Sequence, residues 1–449
     1  VSTFSIDVDT ASYSYIRANL KSGRLPKPDA VRIEEMVNYF SYKYETPKSL
    51  ETPFSSNVSV VQTPWNQNTQ LLHIGIQGYK PDLAGLPPQN LVFLIDTSGS
   101  MRAANKLPLL QQSFRLLLSS LRPEDEVAIV TYAGKAGVLL KPTKVAEKQL
   151  ILGKLNQLTS GGSTAGQAGL KEAYAIANQM TEPGEVARVI LATVGVFYVG
   201  LSDLDSLKRY VSDQRKSGTA LSVLGFGRGN YNDALMQTLA QNGNGIAAYI
   251  DTLSEARKVL VDQMVSSLVS IAQDVKIQVE FNPSKVAEYR LIGYETRALK
   301  NEDFNNDRVD AGDVGAGHTV TAIYEMTPVG SPAIKLDERR YADSSGNKAS
   351  ANTSDELAFV KIRYKKPGQS ESELISTPVR PTDQALDRKE TQFAAAVAAF
   401  GQHLKGSKYL ESYSLKDIEN LASANRGPDD YGYRAEFVNL VRQAQISQR

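Results

Sequence analysis

The stretch that most constrains this chain is Leu91 to Met101, LVFLIDTSGSM. Five consecutive apolar residues, Leu91 to Ile95, are too few for a buried helix and rich enough in β-branched and aromatic types for a strand covered on both faces. Asp96 follows at the strand's end. Ser98 and Ser100 alternate with it, so three oxygen donors converge above the carboxyl edge of a sheet, the usual place for a site in an open α/β fold. Gly99 lets the loop turn tightly between them.

Around this strand the order of elements is regular. After the proline-rich boundary Pro81 to Asn90, the pattern predicts a helix near Lys106 to Ser120, a strand Glu126 to Tyr132, a short strand Val138 to Lys141 and a helix Ala146 to Leu158. It continues with helix Gln167 to Met180, strand Ala187 to Thr193, helix Leu204 to Ser217, strand Ala220 to Gly225, helix Tyr231 to Gln241, strand Ala247 to Ile250 and helix Thr252 to Ile271. Strands alternating with helices imply a mostly parallel, doubly wound sheet covered on both faces.

The Asp-x-Ser-x-Ser arrangement in DTSGSM resembles the metal-ion-dependent adhesion site of von Willebrand factor type A (VWA) domains, and the α/β order agrees with their Rossmann-like fold. The resemblance implies Mg2+ or another divalent cation held by Asp96, Ser98, Ser100 and Thr164. Thr164, in Gly161-Gly162-Ser163-Thr164, matches the family's threonine position; read alone, Ser160 and Thr164 would be caps of the next helix. One family ligand is missing. Where an aspartate is expected after the strand ending at Thr193, the chain has Val194, and Val196 and Tyr198 stand where related bacterial members carry polar residues. Valine offers no oxygen to a hard cation, so the ion is expected to be weakly held or absent. Asp203 and Asp205 could substitute through water, although aspartates ahead of a helix read first as caps.

The flanks differ. Val1 to about Tyr44 predicts an extended piece, a helix capped by Asp9 or Thr10 and stopped at Gly23, and a second helix from Asp29 to Phe40. Asp7 and Asp9 are read as caps before metal ligands. Asn57 to Gln62 and Leu71 to Gln77 alternate as antiparallel strands, and Trp65 between them reads as core packing before a ligand surface. From Asp274 the period is two: VKIQVEF, YRLIGYETR, HTVTAIYEM and ELAFVKIRY predict an antiparallel sandwich. An isolated hairpin is marginal, so the two early strands should join this sandwich, with the α/β domain inserted between. Asp303, Asn305 and Asp307 match the start of a calcium loop, but Arg308 and Val314 break the pattern, which leaves a solvated acidic turn. Leu336 to Asp355 reads as an exposed loop. Helices are expected over Asp387 to Lys405, Ser414 to Ala424 and Asp430 to Ala444.

The resulting architecture is a doubly wound VWA domain inserted in or flanked by an antiparallel β-sandwich, with helical terminal segments. Its expected divisions are 1–88, a VWA-associated segment; 89–272, the VWA domain; 273–380, the sandwich; and 381–449, helical. IDVDTASYSYIR, MVNYF, FLIDTSGSM, SGGSTAG, LGFGRGNYND and GYRAEFVNLV make the whole order similar to the bacterial YfbK-like family. That resemblance implies an envelope protein or lipoprotein, anchored upstream of Val1, and no defined ligand.

Composition narrows the function classes. Lys plus Arg (50) balances Asp plus Glu (49), so no global field favours nucleic acid. No apolar run reaches the length of a membrane span, and the absence of cysteine excludes disulfides, thiolate metal sites and a thiol nucleophile. His73, His318 and His403 are scattered, and no Ser-His-Asp or zinc spacing involves them. GFGRGN, Gly225 to Asn230, imitates a phosphate loop without its lysine and serine or threonine. The expected role is a non-enzymatic binding or scaffolding module that meets a protein partner's acidic side chain; the alternative is a hydrolase or nucleotide-binding enzyme.

Overall fold

The chain's structure is a computed structural model that describes residues 1–449 except 7–9, 83–84, 86, 163–165, 183–184, 195–203, 228–232, 264–268, 310, 338–354 and 449. It divides into two units, one made of Val1–Lys80 with Ser270–Arg449 and the other of Pro81–Val269. The first unit is therefore discontinuous, and the segments expected at 1–88, 273–380 and 381–449 all contribute to it.

The chain opens with strand β1 (Ser2–Ser5) and helix α1 (Ala11–Lys21). Gly23 ends α1 in the left-handed region at φ 72°, as expected of a C-terminal stop. Thr10 occupies the N-cap position, but its side chain makes no cap hydrogen bond; Asp7 and Asp9 lie outside the described residues. The second expected helix is shorter: a 3-10 turn at Pro28–Ala30 precedes α2 (Ile33–Asn38). Strands β2 (Phe54–Gln62) and β3 (Gln70–Gly78) then form a hairpin.

In the second unit, β4 (Gln89–Asp96) is followed by α3 (Leu107–Ser120), β5 (Glu126–Tyr132), β6 (Ala136–Lys144), α4 (Lys148–Asn156), α5 (Gly166–Met180) and β7 (Val186–Thr193). Helix α6 (Leu204–Lys216), β8 (Thr219–Phe226), α7 (Asp233–Asn242), β9 (Ala247–Ile250) and α8 (Leu253–Arg257) complete it. The sheet order is β6-β5-β4-β7-β8-β9, parallel except at the β5–β6 pair. β4 is buried along its whole length. Leu91, Phe93 and Ile95 face a core shared with α3 and α4, and Val92 and Leu94 face the core of α5, α6 and α7. Chain direction switches at β4, since β5 flanks it on one side and β7 on the other, and this is where an open α/β sheet leaves a crevice. The closing helix is a correction: α8 stops at Arg257, a π-helical turn covers Lys258–Gln263, and Ser270 and Ile271 already belong to the next strand. Pairing of Ser270 and Ala272 with Gly315 and Val314 overrides their helical pattern.

Back in the first unit, β10 (Ser270–Phe281), β11 (Val286–Leu291), β12 (Gly312–Gly315), β13 (Thr319–Pro328), β14 (Ala358–Lys365) and β15 (Ser372–Val379) form two antiparallel sheets with the early strands. One has the order β1-β10-β14-β15, with β12 also on β10; the other is β11-β13-β3-β2. β3 pairs with β13 from Thr319↔Gln77 to Met326↔Gln70, so the early hairpin does join the later strands. Phe54–Tyr364 and Phe281–Tyr324 ring contacts, at 5.4 and 5.2 Å, bring the two sheets together. The strand expected through Arg297 ends at Leu291 because Gly293 and Tyr294 turn through positive φ. β12 and β15 carry no clear alternation and were not expected.

Helices α9 (Arg388–Leu404), α10 (Leu415–Ala424) and α11 (Tyr433–Ser447) share one core with α1 and α2 through Tyr13, Met36, Phe40, Phe393 and Phe437. Phe393 to Phe400 are all fully buried, so α9 is apolar all round because it is central. Among the described residues no helix is long and apolar enough to cross a membrane. Arg434 makes two bonds to Glu390, at 2.7 and 3.1 Å, and a third to the Ser41 carbonyl, tying the two ends of the chain together.

Candidate functional site

The carboxyl end of β4 delivers Asp96, fully buried, to the switch point of the six-stranded sheet. Its Oδ1 accepts the Ser98 amide at 2.8 Å, which bends the chain back over the carboxylate. A 3-10 turn, Gly99–Arg102, follows; Met101 is buried in the apolar core beneath it and holds it down. Ser98 Oγ and Ser100 Oγ lie 2.7 Å apart and bond to each other, with Ser98 buried and Ser100 exposed. The neighbouring loop is stitched on by backbone: Gly161 donates to the Thr97 carbonyl at 2.8 Å, and Gly99 donates to the Gly162 carbonyl at 3.2 Å. Thus the loops expected to meet do meet, up to Gly162. Thr164 lies outside the described residues.

Among the described residues Asp96 Oδ2 and Thr193 Oγ1 are both buried and make no hydrogen bond within ordinary distance and angle limits. Burial pushes the Asp96 carboxyl above its ordinary range, opposed by the Ser98 amide and hydroxyl, by Thr193 and by the charge of Lys106. An orphaned carboxylate oxygen beside two hydroxyls is a partial fit to a divalent cation. The rest of the donor set falls short. Val194 is buried at 7% exposure and belongs to the apolar cluster of Ile95, Met101 and Ala192, where it supplies no oxygen. Among the described residues no three histidine, aspartate or glutamate side chains gather as a metal site. Asp205, in the first turn of α6, pairs with Lys208 at 3.3 Å; Val196, Tyr198 and Asp203 lie outside the described residues.

Sequence reasoning missed Lys106. Its ammonium donates to the Ser100 carbonyl at 2.9 Å, and its stem lies across Gly227, where a Cβ would meet the lysine carbons at 2.5 Å. Gly227 has φ 80° and its carbonyl accepts the Tyr249 hydroxyl at 2.8 Å. The glycines of GFGRGN thus bed a side chain at Gly227; Arg228 to Asn230 lie outside the described residues. No signal short of the tertiary fold brings Lys106 to this point.

The other candidates separate. His73 is buried, bonded through Nε2 to Tyr44 at 2.8 Å, and pushed down to about 3 by burial. His403 bonds Gln448 on the helical layer. Trp65 is buried and donates to Glu325 at 3.2 Å, a packing role as expected. The turn at Asp303 to Asp307 is a correction: it is not simply solvated. Lys276, 2% exposed, donates to the carbonyls of Asp303 and Asn306 at 3.2 and 2.6 Å, and Lys365 donates to that of Asp307 at 2.8 Å. The Asp307 carboxylate accepts Ser372 at 2.7 Å and Arg363 at 3.3 Å. Lysine ammonium groups fill the oxygen-lined turn because β10 and β14 pair and carry both into it.

The chain is similar to known proteins over nearly its whole length. Residues 91–196 match the von Willebrand factor type A domain, residues 1–73 a von Willebrand factor family, and residues 266–446 the C-terminal domain of the uncharacterised protein YfbK. The uncharacterised protein YfbK of Escherichia coli is 46% identical over 450 residues, covering 99% of this chain and 78% of that protein. Human inter-alpha-trypsin inhibitor heavy chain H4 is 25% identical over 193 residues, covering 41% of this chain and only 20% of that protein. A solved von Willebrand factor type A protein from Catenulispora acidiphila is 14% identical, with a TM-score of 0.43 over 90% of this chain and 91% of that one. The chain belongs to the YfbK family of bacterial VWA-domain proteins.

Proposed function

We propose that this protein is a non-enzymatic binding or scaffolding protein of the bacterial envelope, engaging a protein partner at the carboxyl edge of its VWA sheet. The site comprises Asp96, Ser98, Ser100 and Thr164, with Mg2+ or another divalent cation held weakly or not at all because Val194 replaces a carboxylate. The observation that carries the reading is Asp96 Oδ2 at the switch point, buried and without a hydrogen bond among the described residues, at the base of a loop whose Ser100 is exposed. Neither the histidines nor the Gly227 loop supports the enzymatic alternative.

The test uses Ser100→Arg, which places a bulky side chain on the exposed rim without touching the core. Cross-linking capture from envelope extract should be lost in this variant while its melting midpoint stays within about 1 °C, as surface changes usually leave stability nearly unchanged. Undiminished capture by Ser100→Arg places the binding surface elsewhere. Reproducible turnover of a nucleotide, ester or phosphate substrate, abolished by one point change, overturns the non-enzymatic reading. Osmotic-shock fractionation that leaves the protein wholly in the cytoplasm overturns the envelope placement.

A further inference from the structure

The last two helices enclose a cleft of their own. Along α11, Ala435, Val438, Asn439 and Arg442 recur at intervals of three and four, which puts them on one face. Ser423 in the last turn of α10 and Arg426 just beyond it form the other side, and these six residues line a space of about 370 Å³. A small molecule fits in such a volume.

The chemistry of the cleft is one-sided. Arg426 is exposed, and its guanidinium makes no hydrogen bond or ion pair with a described residue; its carbonyl, facing the fold, accepts Arg434. Arg442 donates Nε to Glu419 at 2.8 Å and Nη1 to the Asn439 side-chain oxygen at 3.1 Å, which leaves Nη2 without a bond among the described residues. Ser423 Oγ and Asn439 Nδ2 are unused in the same sense. No carboxylate stands among the six lining residues. The two acids bonded to lining residues are already engaged: Glu419 accepts Lys416, Arg442 and Gln445, and Asp429 accepts the amides of Arg434 and Ala435. The carbonyl end of α10 is blunted as well, since Asn425 takes the carbonyls of Leu421 and Ala422. What stays open is two guanidinium groups, an amide and a hydroxyl beside the apolar Ala435 and Val438.

We propose that this cleft binds a phosphate monoester, with Arg426 and Arg442 on its oxygens, Ser423 and Asn439 completing the donors, and the ligand's apolar part against Ala435 and Val438. Guanidinium groups hold oxyanions through paired, charge-assisted hydrogen bonds, and a phosphate brings three oxygens to four donor groups where a carboxylate brings two. The same group can come from a soluble phosphomonoester or from a phosphatidate headgroup. The cleft lies in the other unit from Asp96, so it stands or falls independently of the partner surface proposed above.

The experiment titrates phenyl phosphate into the full chain by isothermal calorimetry. Affinity of about millimolar is expected for a ligand of this size, with benzoate weaker. Arg426→Gln should weaken phenyl phosphate binding about tenfold, as loss of charged hydrogen bonds does, and leave the melting midpoint within about 1 °C. Arg442→Gln should weaken it as much, with Lys416 and Gln445 still holding Glu419. Arg308→Gln, which removes the same charge from an exposed turn of the sandwich, should leave it unchanged. A parallel arm floats vesicles of phosphatidylcholine with and without phosphatidate: capture that needs phosphatidate and is lost in Arg426→Gln assigns the phosphate to a headgroup. Absence of binding to both phenyl phosphate and phosphatidate overturns the proposal. So does binding that Arg426→Gln and Arg308→Gln affect equally, or benzoate bound as tightly as phenyl phosphate.

Discussion

Two places in this chain carry the oxygen pattern of a cation site, and they end differently. At Asp303 to Asp307 the oxygens are satisfied: carbonyls of Asp303 and Asn306 hold the buried Lys276 ammonium, and the Asp307 carboxylate is taken by Ser372 and Arg363. At Asp96 to Ser100 the pattern is left open, with Asp96 Oδ2 unpartnered and Ser100 at the surface. An oxygen cluster whose carbonyls and one carboxylate oxygen already hold lysine, serine and arginine donors of the same fold reads as structure. An unsatisfied one, placed where an α/β sheet leaves its crevice, is what we propose as the site. The difference is made by lysines that the sequence pattern does not count. Lys276 comes from the strand paired behind its loop and enters it; Lys106 comes from the next helix and stops at the rim.

The sharpest way to break this comparison is to empty the filled turn. Lys276→Met removes the ammonium and leaves two carbonyls without their donor, a loss that the burial of an apolar side chain at this position offsets only in part. Loss of about 2 to 4 kcal/mol is expected, in the range for uncovering buried polar groups. Trp65 is the only tryptophan in the sequence and lies buried in the same unit, so its fluorescence reports this unfolding directly. Calcium should not restore the lost stability. A calcium-dependent recovery would mean that the turn is a metal site with a lysine plug, and the contrast with the notch would collapse.

The second prediction fills the open site. Val194→Asp restores a carboxylate beside Asp96 and should confer a stabilisation by Mg2+ or Mn2+ that the unaltered chain lacks. At ten times the dissociation constant that gain is about 1.4 kcal/mol by mass action. In chelator the same variant should be less stable than the parent, because it exchanges apolar packing with Ile95 and Met101 for a second buried carboxylate. Calorimetry of the VWA transition in metal and in chelator reads both. An unaltered chain that responds to metal as strongly as its variant means that Val194 is not the missing ligand position, or that another carboxylate has replaced it.

How far the sequence revealed all this depends on how local each signal is. β4 was legible because a run of five apolar residues needs cover on both faces, and the α/β alternation around it follows from the same rule. Gly23, as the stop of the first helix, was readable for an equally local reason. The closing helix failed at Ser270 because strand pairing with Gly315 is remote in sequence. β12 and β15 were missed since short or edge strands carry mixed burial instead of clean alternation. At the notch, Asp96, Ser98 and Ser100 lie within five residues and announced themselves. Lys106 did not, because a lysine at the start of a helix is ordinary until Gly227 is brought beneath it.

The smallest effect is expected at Asp307, and it distinguishes charge from shape in the filled turn. The Ser372 hydroxyl above all, opposed by burial and helped in turn by Arg363 and Lys365, holds this carboxyl below the usual carboxylate range. A depressed folded value means that the folded state binds its proton less readily than the unfolded state does. The stabilisation is therefore present above the unfolded carboxyl value and is lost as pH falls through the lower, folded one. With 36% of its side chain exposed, solvent screens the pair, and Asp307→Asn should cost under about 1 kcal/mol at neutral pH. Followed by Trp65 fluorescence in denaturant, the gap between the two chains should close as the solution is acidified below the ordinary carboxylate range. A gap that stays constant through the acid limb means that the aspartate acts by shape and hydrogen bonding alone. A parent chain whose midpoint rises with calcium, in a way that Asp307→Asn abolishes, would return the turn to the list of metal sites and leave the two regions alike.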